Sequence, residues 1–218
     1  MIRPGTRRIR FRGRIAGVGS TSGTRVVIGH WLDSPLGSFA DAMVERGDGH
    51  RVLLAPSADV ARFVAATYEF DEIRVEPFEV TSDDTGWQVS SSSLLLVLTT
   101  GRRTPAGWLL AAVPRPLART PLWCAVVDPV ARLLMRGVRT RGATRDRREW
   151  YGATGNRVVT ALSGSFDDVD LGELARVHPA PRFGFSSTPP RPSVTEVVTT
   201  IELGTGVTLV GRAAPSRP

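Results

Sequence analysis

The stretch RRIRFRGRI, residues 7–15, alternates strictly with a period of two. In an extended chain Arg8, Arg10, Arg12 and Arg14 share one face, while Ile9, Phe11 and Ile15 share the other. The glycine-rich GVGSTSG at 17–23 turns the chain, and TRVVIGHWL at 24–32 returns it, so the sequence begins as a pair of antiparallel strands. GSFADAMVE (37–45) and RVLLAP (51–56) flank RGDGH (46–50), where Asp48-Gly49 signals a hairpin. A meander is expected from this half.

Beyond residue 56 the period changes. SADVARFVAATY (57–68) places Val60, Phe63 and Val64 on one stripe behind Ser57 or Asp59 as N-cap, which predicts a short amphipathic helix. DEIRVEPFEV (71–80) resumes extended structure, and Pro77 confines it to an edge or a bulge. GWQVSSSSLLLVLTT (86–100) reads as one strand, central and buried, because Leu94–Leu98 are apolar on both faces. The proline-rich 104–123 allows only short helical pieces. DPVARLLMRG (128–137) has helix start and stop signals in Asp128, Pro129 and Gly137. REWYGATGNRVVTALSGSF (148–166) reads as a hairpin turning at 154–156, DLGELARV (170–177) as a helical turn, and SVTEVVTTIEL (193–203) and VTLVG (207–211) as closing strands.

These elements predict an α+β, mainly antiparallel β fold: a single domain over residues 1–210, built as a curved sheet or partly closed barrel or cone with two or three short helices, followed by a flexible tail at 211–218.

All 28 basic residues are arginine, and the formal net charge is +7. Without lysine the chain can hold no Schiff-base enzyme, no lysine-anchored pyridoxal cofactor and no phosphate-loop lysine. The charge concentrates in segments 3–14 and 132–148, a distribution that suits nucleic acid, an anionic surface or a small anionic molecule. The lone Cys124 lies in apolar PLWCAVV as a small core residue, and it permits no intramolecular disulfide. TRRIRF lacks the apolar region a twin-arginine signal requires, and 121–135 is too interrupted to span a membrane, so a cytoplasmic location is expected.

Candidate site residues follow from phase. His30 alternates with Val26, Ile28 and Leu32 and should project from an apolar face into the interior. Asp41 shares a face with Phe39, Met43 and Glu45, opposite Ala40, Ala42 and Val44. If the larger set faces the interior, Asp41 is an inward acid with a raised pKa; otherwise it is a surface charge. Arg148, Glu149, Trp150 and Tyr151 combine aromatics with opposite charges, a composition that stacks a planar group and pairs an anion. His30, His50 and His178 share no metal spacing, and neither a metal nor a cofactor is expected. No motif identifies a catalytic residue. The leading expectation is a small anionic ligand held in a β-barrel or cone pocket by His30, Asp41, Arg148, Glu149, Trp150 and Tyr151; the alternatives are nucleic-acid or anionic-surface binding through the arginine segments, or a structural, ligand-free role.

Two segments, SPLGSFADAMVE (34–45) and RREWYG (147–152), resemble the S-P-x-G-x-aromatic strand and the R-E-x-W-G segment of the acetoacetate decarboxylase-like superfamily. The resemblance implies an antiparallel β-cone with an interior small-molecule pocket near both segments. Because the lysine that forms that family's Schiff base is absent, only the scaffold carries over.

Overall fold

In a computed structural model of the chain, the described residues are 7–112, 141–143, 147–184, 188–203, 207–208 and 211–212. The elements are β1 (Arg7–Ser20), β2 (Arg25–Asp33), β3 (Phe39–Glu45), β4 (Arg51–Ala55), α1 (Ala58–Ala65), β5 (Glu72–Val75), β6 (Phe78–Ser82), β7 (Gly86–Ser91), β8 (Leu94–Arg103) and α2 (Pro105–Ala112). They continue as β9 (Arg141–Ala143), β10 (Arg147–Phe166), β11 (Val169–Asp170), β12 (Leu174–Ala175), β13 (Ser193–Leu203), β14 (Val207–Thr208) and β15 (Gly211–Arg212).

Ten strands form one path, β5-β4-β3-β2-β1-β13-β10-β8-β7-β6. The path curls into a half-barrel within a single domain, in agreement with the expected curved antiparallel sheet. Its concave side is packed solid. Ala16, Val18, Val26, Ile28, Ala40, Ala42, Val44 and Leu54 from one half meet Trp87, Leu94, Leu96, Leu98 and Phe166 from the other. The small set of β3 therefore faces the interior.

The opposite face of β1–β4 carries a second apolar layer of Ile9, Phe11, Leu53 and Ala55. A single parallel pairing explains how that layer is covered. β4 and β5 run parallel, and parallel neighbours need a crossover rather than a tight turn. The crossover contains α1, whose Val60, Phe63 and Val64 close over the second layer. Ser57 caps this helix by accepting from the Val60 amide, as the sequence predicts.

Other local readings are corrected by the structure. Residues 86–100 form a hairpin instead of one strand, turned by Ser91, whose hydroxyl accepts from the Leu94 amide at 2.9 Å. Leu95 and Val97 are about half exposed, so β8 buries only its concave face. Residues 147–166 form one long strand without a hairpin; a register shift between Ala153 and Gly155 absorbs the irregularity against β13. Residues 170–177 hold the short strand β12, which pairs β1, in place of a helical turn. Gly211–Arg212 pair with Val207–Thr208. The expected helix at 128–137, Cys124 and most of the 132–148 segment lie outside the described residues. Among the described residues no helix is long and apolar enough to cross a membrane.

A buried ion pair ties the meander together. The Arg25 guanidinium donates to Glu45 Oε1 at 2.8 Å and to the Gly23 carbonyl at 2.8 Å, and both side chains are almost wholly enclosed.

Candidate functional site

A cavity of about 70 Å³ lies between α1 and the sheet, several times the roughly 10–15 Å³ one water needs. β1 contributes Phe11 and Ile15, β2 Val27, Gly29 and Trp31, and β3 Phe39, Asp41 and Met43. The α1 side supplies Phe63, Val64, Thr67 and Tyr68, and β13 supplies Thr199 and Ile201. The strand residues sit here because odd-numbered positions of β1, β2 and β3 share the face that the interior core does not use.

Asp41 is the carboxyl group of this cleft among the described residues. It is 5% exposed, and its Oδ1 accepts from Trp31 Nε1 at 3.1 Å. Gly29 stands opposite it in the β2–β3 register. A Cβ at Gly29 would come within 2.6 Å of both Asp41 Oδ1 and Trp31 Nε1, so the absent side chain makes room for that bond. Burial pushes the carboxyl pKa up to about 7, against the smaller opposing effect of the tryptophan hydrogen bond. Asp41 is therefore neither the interior acid nor the surface charge its sequence phase allowed. The interior took the small residues, and α1 covered the larger ones.

Three strands across the sheet, Thr199 Oγ1 is buried, has no hydrogen-bond partner among the described residues, and faces the same cleft. Buried hydroxyls normally find a partner, so this one is open to a polar group entering from the cavity. No feature of SVTEVVTTIEL singles Thr199 out. Phe11, Phe39 and the α1 stripe could have been grouped from phase, had the covering of the outer face been known.

His30 lies on the other face from Asp41, next to Gly29 in β2, as its interior phase requires. Its Nδ1 is 2.9 Å from Ser82 Oγ, and its ring meets Trp87 edge-on at 5.9 Å. Burial, followed by repulsion from Arg14, lowers its pKa, which keeps the imidazole neutral near pH 7. The structure thus separates His30 and Asp41.

The side chains of Arg148, Glu149, Trp150 and Tyr151 lie outside the described residues. Their backbone is placed by register: Glu149 and Tyr151 pair with Ile201 and Thr199, two lining residues of the cleft, whereas Arg148 and Trp150 pair with Glu202 and Thr200. Arg8 and Arg10 also pair with Glu202 and Thr200, from the other side of β13. Arg10 and Arg12 are exposed, while Arg8 bonds Glu202 at 3.0 Å and Arg14 reaches the Asp83 carbonyl at 3.3 Å. Among the described residues no group of three or more His, Cys, Asp or Glu could hold a metal ion.

Fold and cleft together define a half-barrel of antiparallel strands with a helix-covered pocket on its outer face. No protein-family model matches the chain, and no curated protein does. Among solved structures it is similar to one described as structural studies of acetoacetate decarboxylase, at 9% identity and a TM-score of 0.38, covering 93% of this chain and 88% of that one. The likeness concerns the scaffold, and no residue role is transferred from it.

Proposed function

We propose that the protein binds a small organic molecule in the cleft beneath α1, with Asp41 as its polar anchor. The observation that carries this reading is a buried carboxyl, held among the described residues by one neutral donor, in a cavity walled mainly by apolar and aromatic side chains. Concave, mainly apolar sites with a few fixed polar groups are the usual form of small-molecule pockets. The anionic ligand expected from composition fits this cleft poorly, since no arginine or histidine among the described residues lines it.

The test is a thermal-shift screen of small organic compounds on wild type and Ile15→Trp, which fills the cleft from β1. Compounds that raise the melting temperature of wild type and not of the variant support the reading; hits that stabilise both equally contradict it.

A second reading belongs to the arginine row. Arg10 and Arg12 are exposed and have no partner among the described residues, which favours contact with an anionic surface or nucleic acid. That reading expects affinity for short DNA that falls steeply as salt rises and is lost in Arg10→Glu with Arg12→Glu. Unchanged affinity in the double variant counts against it.

A further inference from the structure

We propose that the ligand of the cleft beneath α1 is a small organic ammonium ion. This rests on the small-molecule reading above and gives it a chemical class.

Five aromatic side chains line the cleft: Phe11, Trp31, Phe39, Phe63 and Tyr68. Ring faces carry negative potential and attract a cation lying within about 6 Å of the centroid, more strongly where water is excluded. The rings do not lie in one plane. Phe11 meets Trp31 at 77° and Phe39 at 85°, while it stacks on Phe63 at 21° with centroids 4.8 Å apart. Faces set in different planes are what a cage around a rounded cation requires.

The carboxyl supplies the charge. Asp41 receives one described hydrogen bond, from the neutral Trp31 indole, and among the described residues no guanidinium or imidazole lines the cleft with it. A buried carboxylate is normally paired with a cation, and among the described residues none lines the cleft. An ammonium ion entering the cavity completes the pair and meets ring faces on its other sides. An anion in the same place is repelled by the carboxylate and the negative ring faces, and a neutral molecule gains neither charge pairing nor cation–ring attraction. Thr199, whose hydroxyl has no partner among the described residues, can receive a polar substituent on a longer ligand at the β13 side.

The experiment is calorimetric titration of the full chain with tetramethylammonium, choline and benzyltrimethylammonium. Choline and benzyltrimethylammonium are each matched with a neutral analogue in which carbon replaces the charged nitrogen. At least one cation should bind wild type, and choline or benzyltrimethylammonium at least tenfold more tightly than its analogue. Asp41→Asn should abolish that preference while still binding the analogue, and Phe63→Leu, which removes a ring face but keeps an apolar side chain, should weaken it. If Asp41→Asn does not fold, the wild-type preference and Phe63→Leu decide. Equal or tighter binding of the neutral analogues, or binding of none of the cations, overturns the ammonium assignment. Neutral analogues that bind alone leave the small-molecule reading standing, whereas that reading falls with its own screen if no compound responds to Ile15→Trp.

Discussion

Asp41 is where the sequence and the structure are most informative about each other. Its phase with Phe39 and Met43 was legible from seven residues, since alternation alone assigns strand faces. Which face a helix would cover was not legible, because that depends on a crossover between β4 and β5 that no local pattern encodes. The buried acid has a measurable consequence. In the unfolded chain it ionises near pH 3.8, and in the folded protein near 7. Between these values the folded state holds a proton that the unfolded state has released, so stability falls as pH rises. About three pKa units correspond to roughly 4 kcal/mol, present below pH 4 and lost by pH 7. Urea denaturation of wild type and Asp41→Asn from pH 4 to 8 should therefore show the variant gaining on wild type as pH rises. A difference independent of pH would mean that Asp41 is ionised throughout, as at a solvated site.

At the scale of elements, the strands with one clean period were read correctly, and the errors fall where two signals compete. The apolar run Leu94–Leu98 suggested burial on both faces, but Leu95 and Val97 stand on a face that no described element covers. Thr154–Asn156 looked like a turn, yet β13 is long enough to pair on both sides of the irregularity, which makes it a bulge. The β2–β3 hairpin contributes a feature that composition hides entirely, the Arg25–Glu45 pair. Glu45 also accepts from the backbone amide of Arg182, joining the hairpin to the segment before β13. Removing one partner of such a pair leaves a charge buried alone, at a typical cost of about 3–5 kcal/mol. Glu45→Ala should lower the urea midpoint accordingly, and Arg25→Met with Glu45→Leu should recover much of the loss. A Glu45→Ala protein as stable as wild type would show that the pair is solvated.

For the whole molecule, the curl of the sheet decides what each face can do. The half-barrel interior was expected to hold the pocket, but Trp87, Leu94, Leu96 and Leu98 fill it, and the cavity lies outside, under α1. The arginine row runs along the same β1 face as Ala16 and Val18, so one face passes from dry core to exposed charge along a single strand. Sequence phase gave both faces of β1 correctly; closure of the sheet and placement of the helix, which are properties of long-range pairing, determined which face became a site. Because neighbouring residues on these strands report opposite faces, methyl resonances can locate a bound ligand directly. A compound that stabilises the protein through the cleft should shift the methyls of Ile15, Val27, Val64 and Ile201, and leave those of Ala16, Val26, Ile28 and Val194 in place. Shifts confined to the second set would put the ligand inside the half-barrel and contradict a pocket beneath α1.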